Sequence, residues 1–192
     1  MDFTPHQRSA LLDVARTAIL AALERSVSSN GAPDDPALHQ PAGCFVSLHA
    51  VSTRALRGCV GRLDSSMSLH AAVSKAARDV LFDPRFDGDP VTRLELPYLE
   101  LEISVLSPLQ LIDHPLNFEL EHGIYICHER RGGCFLPQVA RQTGWSKEQL
   151  LDRLCSEKLG IDSGAWRDAQ VKAYTFMTCV IGPEPFERGV VA

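Results

Sequence analysis

The chain has 192 residues, which is enough for one domain with a well-buried core, or for one domain carrying a smaller appendage. Apolar residues make up 45% and charged residues 22% of it, and no apolar run approaches the roughly 20 residues that span a bilayer. A net charge of -5 argues against a nucleic-acid binder, which needs a basic face. The first residues lack the basic start and apolar core of a signal peptide, so we expect a cytoplasmic protein without membrane contact.

The first half of the sequence predicts a helix, a hairpin and a second helix. Thr4 and Gln7 form a capping box around a proline at the first helical position. The predicted elements are, in chain order, a helix over residues 4–27, a loop over 28–42, two strands over 44–51 and 55–60 that form a hairpin, and a helix over 68–81. This second helix stops before the run Asp83-Pro84-Arg85-Phe86.

The second half begins with the clearest strand, residues 98–106, in which leucine, isoleucine and valine alternate with Glu100, Glu102 and Ser104. Such alternation indicates one face packed on helices and one face that is polar or lines a cleft. The later predicted elements are strands over residues 117–121, 124–128 and 134–136, a helical turn over 137–144, a capped helix over 146–160, and a strand over 171–181.

Strand runs interleaved with only about four helices, with a hairpin early in the chain, favour an α+β fold with an antiparallel or mixed sheet flanked by helices. No glycine-rich dinucleotide fingerprint and no P-loop lies between a strand and a helix. The nucleophile elbow of the α/β-hydrolases is also missing. The sequence therefore argues against several common enzyme classes, and we expect no cofactor.

The most informative segment is Leu56-Arg57-Gly58-Cys59-Val60-Gly61. In an extended strand Arg57 and Cys59 point to the same face, because side chains alternate. Gly58 and Gly61 carry no side chain, so a ligand or another backbone can approach closely. A thiol beside a fixed positive charge has a lowered pKa and is reactive.

One hypothesis makes this segment catalytic, with Cys59 as a nucleophile or thiol carrier. Arg57 then lowers the thiol pKa or holds an anionic substrate, and Glu102 acts as acid–base or orients Arg57. His49 supplies the base if its strand lies beside Cys59. The alternative is structural: Arg57 and Glu102 form an ion pair, and Cys59 fills a tight space lined by glycine.

A second hypothesis, which we favour slightly for the whole protein, is a binding or adaptor module for a small anionic ligand or a partner protein. Arg57 and Arg85 are its natural anchors, because guanidinium groups match carboxylate and phosphate. The ligand-contact set expected on this hypothesis is Arg57, Gly58, Gly61, Arg85 and His49. For the run over residues 83–86 alone, we favour a turn that ends the helix, with Arg85 paired to Asp83 or Asp87.

The six cysteines are dispersed and form no C-x-x-C pair, so we expect reduced thiols that behave as small apolar groups. Cys127, His128 and Cys134 flank a predicted hairpin turn. They either hold a structural metal across the turn or, as the more frequent outcome, are ordinary paired strand residues. We therefore assign no metal site to the chain.

Taken together, the motifs are similar to those of the AMMECR-type domain, a family called AmmeMemoRadiSam system protein A in prokaryotes. The runs that carry the resemblance are GCFVSL at residues 43–48, LRGCVG at 56–61, DPRF at 83–86 and FLPQVA at 135–140, followed by GW at 144–145 and LCSEKLG at 154–160. Val60 and Leu159 are apolar exchanges for the family's usual isoleucine and alanine. The resemblance covers most of the chain, so residues 1–192 are interpreted as a single domain of this type.

Membership implies a larger α+β subdomain, with an antiparallel sheet flanked by helices, and a smaller subdomain packed beside it. It also implies partners: a Memo-type protein, which resembles iron-dependent ring-cleaving dioxygenases, and a radical-SAM enzyme. It implies no particular reaction. We therefore expect a ligand- or partner-binding component of such a system, with catalysis by Cys59 as the alternative.

Overall fold

The computed structural model describes residues 2–26 and 33–187. The chain divides into two compact units: unit 1 comprises Met1–Leu106 and Cys179–Ala192, and unit 2 comprises Ser107–Thr178. Each unit contains one four-stranded antiparallel sheet flanked by helices, which confirms the predicted α+β class. Within the described ranges no helix is long and apolar enough to cross a membrane.

The helices and strands, in chain order, are α1 (Pro5–Leu23), β1 (Cys44–Ala50), β2 (Leu56–Arg62), α2 (Leu69–Asp79), β3 (Leu99–Leu106), β4 (Gln110–Ile112), β5 (Gly123–His128), β6 (Arg131–Phe135), α3 (Pro137–Thr143), α4 (Lys147–Arg153), β7 (Lys172–Phe176) and β8 (Thr178–Pro185). Short 3-10 helices lie at Pro36–His39, Val80–Phe82, Pro84–Phe86, Arg93–Tyr98 and Ser163–Arg167. A π-helical segment, Leu154–Leu159, continues α4.

Helix α1 begins at the predicted capping box. The Gln7 backbone N–H donates to the Thr4 hydroxyl at 3.3 Å, and the Thr4 N–H donates to the Gln7 side-chain oxygen at 2.9 Å. The predicted end at residue 27 is wrong, because Arg25 adopts a left-handed φ of 53° and the Ser26 N–H bonds back to the Ala21 carbonyl. The helix therefore ends at Leu23. Residue 27 itself, and residues 28–32 of the predicted loop, lie outside the described residues.

The sheet of unit 1 has the strand order β2-β1-β3-β8, and the predicted hairpin of β1 and β2 is confirmed. One face of this sheet packs on α1 and α2 and forms the core of the unit; its fully buried strand residues include Val46, Leu48, Leu101 and Ile103. Each such side chain contributes roughly 1.5–3 kcal/mol through burial. The candidate site lies where β2 forms an edge of this sheet.

The sheet of unit 2 has the order β4-β7-β5-β6 and packs on α3, α4 and the π-helical segment. The predicted capping box of Ser146 and Gln149 opens α4. The π-helical segment ends at Gly160, the predicted stop, where the left-handed φ of 64° is one that glycine adopts readily.

Two strand predictions in this unit are wrong. Residues 117–121 form turns, because the Asn117 N–H bonds to the His114 carbonyl and the His122 N–H bonds to the Glu119 carbonyl. Of these five residues only Phe118 is buried.

The predicted strand over 171–181 is two strands in different sheets. They are separated at Met177, whose N–H bonds to the Ser107 hydroxyl instead of to a strand. Short strand β4 (Gln110–Ile112) was not predicted; it pairs with β7.

Candidate functional site

Cys59 lies in edge strand β2, in a polar row that crosses three strands. Its register partner on β1 is Ser47, and the partner of Ser47 on β3 is Glu102. The Ser47 hydroxyl acts on the thiol and favours its charged form. Two members of the predicted catalytic set, Cys59 and Glu102, are therefore brought onto one row. Sequence reasoning missed Ser47, which only the strand register reveals.

The run DPRF closes the edge of the sheet at Cys59. The Cys59 N–H donates to Asp83 Oδ2 at 2.8 Å, and Arg85 Nη2 donates to the Cys59 carbonyl at 3.1 Å. Arg85 also donates to both oxygens of Asp83, through Nε at 3.0 Å and Nη2 at 2.6 Å. An edge strand exposes backbone groups that have no neighbouring strand, and here one side-chain pair supplies both missing partners. We call this arrangement the Asp83–Arg85 clamp.

The carboxylate of the clamp is strongly held in its charged form. Asp83 is buried, and burial alone raises the pKa of a carboxyl. The hydrogen bonds from the Arg85 side chain, the Cys59 N–H and the Arg85 N–H outweigh this effect and lower the pKa of Asp83 to about 2. The clamp is therefore intact at neutral pH, and the predicted pairing of Arg85 with Asp83 is what the structure shows.

Arg57 pairs with a different carboxylate from the one expected. Its Nε donates to Glu95 Oε1 at 3.0 Å, and its Nη2 donates to the Asp89 carbonyl at 2.7 Å and lies 3.4 Å from Asp89 Oδ2. The Phe86 ring lies 5.5 Å from the guanidinium carbon. Burial raises the pKa of Glu95, but the bonds from Arg57 prevail and lower it. The predicted ion pair of Arg57 with Glu102 is wrong.

A β-bulge explains this difference. The register pairs Leu48 with Gly58 but His49 with Leu56, which leaves Arg57 as an extra residue in β2. Simple alternation therefore does not determine where Arg57 points, and its side chain bonds with the 89–95 segment. Its Nη1 is buried without a hydrogen-bond partner in the part of the chain that the structure describes.

The thiol of Cys59 is not activated. Burial raises its pKa, and the Ser47 hydroxyl and the Arg85 charge oppose this rise without reversing it. The expected lowering of the thiol pKa by Arg57 is therefore wrong, and the cation that acts on the thiol is Arg85. The predicted base, His49, lies opposite Leu56 instead of Cys59, and burial lowers its pKa. A thiol in this state is mostly protonated at neutral pH.

The two glycines of the motif admit the protein's own backbone. A Cβ on Gly58 lies 2.8 Å from the Val80 carbonyl oxygen, and a Cβ on Gly61 lies 2.1 Å from the Cys44 carbonyl oxygen. Both distances are shorter than any normal contact. The sequence allowed either a ligand or another backbone to approach these glycines. The structure shows another backbone beside each of them.

Several large apolar side chains in the segments that carry these ion pairs, and in the β1–β2 turn, are exposed. The exposed fractions are 45% for Val51, 37% for Leu56, 72% for Phe82, 85% for Leu94 and 73% for Tyr98. We call these five residues the apolar rim. Three of them directly precede Arg57, Asp83 and Glu95 in the chain, and the Val51 N–H bonds to the Tyr98 carbonyl at 2.9 Å. Sequence reasoning missed the rim because its residues come from separate segments and share no periodicity.

The cysteine–histidine hairpin of unit 2 is formed by β5 and β6. Cys127 lies opposite Gly132, His128 opposite Arg131, and Cys134 opposite Tyr125. No two of these three residues are therefore register partners across the hairpin. Within residues 2–26 and 33–187, no group of three or more histidine, cysteine or acidic residues is arranged to hold a metal ion.

Comparisons with family models, related sequences and solved structures all identify the same family. The AMMECR1 family model matches residues 12–181. Protein PH0010 of Pyrococcus horikoshii is 33% identical, with 94% of this chain and 91% of that protein aligned. Protein MJ0810 of Methanocaldococcus jannaschii is 37% identical, with 70% and 69% aligned. The crystal structure of PH0010, described as an uncharacterized protein, superposes with a TM-score of 0.80 over 88% of each chain at 32% identity.

Proposed function

The chain belongs to the AMMECR1 family, and from that premise we propose that it is a partner-binding component of a multiprotein system rather than an enzyme. The partners that the motif resemblance implies are a Memo-like protein and a radical-SAM enzyme. One observation carries the proposal: the polar groups of the LRGCVG and DPRF runs bond to one another, while the apolar rim beside them is exposed.

The apolar rim has the properties of a protein-binding surface. Monomeric proteins rarely expose several large apolar side chains close together without a functional reason. Rim residues Leu56, Phe82 and Leu94 each adjoin a residue fixed by an ion pair, so the backbone that carries them is held in place. A preorganised surface loses little conformational entropy when a partner binds. Burial of these side chains in an interface then supplies the favourable free energy.

A small anionic ligand is the less favoured occupant. Arg57 and Arg85, the two predicted anchors, already pair with Glu95 and Asp83. Such a ligand has to displace one of these carboxylates, or open the loop to reach the buried Nη1 of Arg57. A protein partner that contacts the rim needs neither change.

We also propose that the protein acts in the cytoplasm, where thiols stay reduced. All six cysteines are free, and Cys44 and Cys155 are buried. Burial raises the pKa of Cys44 to about 12, which makes it unreactive. This pattern fits a reducing compartment.

The proposal is tested by calorimetric titration of the purified chain with the Memo-like protein and, separately, with the radical-SAM enzyme of the same organism. We expect a complex with at least one of them, weakened at least tenfold by Leu94→Ser. The matched control is Leu111→Ser, which removes an exposed leucine from unit 2 and leaves the affinity unchanged. The absence of binding to either protein contradicts the proposal.

A catalytic role for Cys59 is the second candidate, and the row of Cys59, Ser47 and Glu102 is the observation that favours it. The row places a thiol, a hydroxyl and a carboxylate on neighbouring strands. The discriminating variant is Cys59→Ser in a reconstituted system of the three proteins. Lost turnover with an intact complex supports catalysis, whereas unchanged turnover excludes Cys59 as nucleophile.

A further inference from the structure

We propose that the partner segment bound by the apolar rim is basic: it places apolar side chains on the rim and at least one lysine or arginine against Asp87 and Asp89. This inference rests on the proposed function and names the chemistry of the partner. It rests on the charges of the loop over residues 82–94, where both arginines are paired and the aspartates are in excess.

Four arginines in the rim segments are paired within the protein, whereas Arg78, four residues before Phe82, is exposed and makes no ion pair in the described part of the chain. Arg54 pairs with Glu100, Arg85 with Asp83, and Arg93 with Glu24. Arg57 pairs with two carboxylates at once, Glu95 and Asp89. Both arginines of the loop over residues 82–94, Arg85 and Arg93, therefore have a carboxylate partner.

In the loop over residues 82–94, three aspartates outnumber the two arginines. Asp87 is exposed and makes no ion pair in the described part of the chain, and Asp89 is exposed and shares Arg57 with Glu95. Both aspartates lie in the segment between Phe82 and Leu94, two of the most exposed rim residues. The loop therefore combines apolar anchors with excess negative charge.

Apolar side chains together with negative charge favour some binding partners of the rim over others. A segment with apolar and basic side chains gains both burial and charge complementarity, which speeds encounter and rejects other partners. An acidic segment meets like charge. A second copy of the chain, docked by the same surface about a two-fold axis, brings the same excess of aspartates into the interface a second time. The charges therefore favour a different, basic partner over self-association.

The first experiment identifies the occupant directly. The full chain carries p-benzoylphenylalanine in place of Leu94, is irradiated in cells of its own organism, and the cross-linked peptide is sequenced. We expect a peptide from another protein with lysine or arginine within a few residues of the cross-linked apolar side chain. An acidic peptide, a peptide of the chain itself, or no cross-link overturns the inference.

The second experiment measures the charge dependence of the complex used to test the proposed function. Asp87→Lys, which breaks no ion pair, and the double variant Asp87→Lys with Asp89→Lys are expected to weaken binding progressively, to at least tenfold for the double variant. They are also expected to reduce the salt dependence of the affinity. Glu121→Lys, an exposed charge reversal in unit 2, is the matched control and leaves binding within twofold.

Different outcomes contradict the basic-partner inference and the proposed function. A complex that forms normally and ignores charge reversal at Asp87 and Asp89 contradicts the basic-partner inference but leaves the proposed function standing. Failure to form any complex with either candidate protein contradicts the proposed function. In that case the cross-linking result still decides whether the rim meets a basic segment.

Discussion

The motif strand and the apolar rim of unit 1 adjoin each other and use their side chains in opposite ways. In the motif strand, groups that suggest chemistry are engaged in structure: Arg57 bonds to Glu95, and the backbone of Cys59 bonds to the Asp83–Arg85 clamp. In the rim, apolar groups that normally form a core are exposed. The comparison teaches that the polar residues here bond to one another and support the strand, which leaves the exposed apolar residues as the proposed contact surface.

The largest expected effect comes from breaking the clamp with Asp83→Ala. This change leaves a buried N–H of Cys59 without an acceptor and Arg85 without its carboxylate, so we expect a loss of about 3 kcal/mol in unfolding free energy. Arg85→Ala is the matched control and is expected to cost less, about 1–2 kcal/mol, because Asp83 keeps the backbone N–H donors of residues 59 and 85. Both values come from urea unfolding followed by circular dichroism. A loss below about 1 kcal/mol for Asp83→Ala contradicts the structural role.

The pH dependence of stability isolates the same carboxylate. Its folded pKa of about 2 lies below the ordinary value of 3.8, so its contribution is present above pH 4 and is lost as the pH falls towards 2. The size of the shift corresponds to about 2 kcal/mol. We expect Asp83→Asn to flatten the wild-type curve of unfolding free energy by that amount between pH 4 and pH 2. Parallel curves count against the clamp.

A smaller effect separates the observed ion pair from the one that the sequence suggested. A double-mutant cycle of Arg57→Ala with Glu95→Ala is expected to give a coupling free energy of about 1–2 kcal/mol. The same cycle of Arg57→Ala with Glu102→Ala is expected to give less than about 0.5 kcal/mol, because no bond joins these residues. A reversal of the two values contradicts the described position of Arg57.

The smallest expected change in stability lies in the rim. Phe82→Ser and Leu94→Ser remove exposed side chains, so the unfolding free energy is expected to stay within about 0.5 kcal/mol of wild type. Their affinity for a partner is nevertheless expected to fall at least tenfold. A stability loss comparable to that of Asp83→Ala shows instead that the rim is part of the core.

Local signals in the sequence predicted much of the fold. The capping boxes at Thr4 and Ser146 fixed the starts of two helices, and the alternation in residues 98–106 identified β3. These features depend on neighbours a few residues apart. The break at Met177 was missed because it depends on pairing with a distant segment, through the bonds between Met177 and Ser107.

The sequence identified most residues of the candidate site, but it did not predict most of the contacts between them. Arg57, Cys59 and the DPRF run were identified, and the bonds of Arg85 to Asp83 were among the expected alternatives. The bond of Arg57 to Glu95 spans 38 residues and depends on a bulge that no local pattern signals. The raised thiol pKa depends on burial, which a sequence read one strand at a time does not give.

The most direct test compares one residue from each region in one assay. The affinity of the Memo-like protein and of the radical-SAM enzyme is measured for wild type, Cys59→Ser and Leu94→Ser under identical conditions. If the motif strand is a support and the rim is the contact surface, Cys59→Ser binds within twofold of wild type and Leu94→Ser binds at least tenfold more weakly. Weak binding by Cys59→Ser together with unchanged binding by Leu94→Ser contradicts this account.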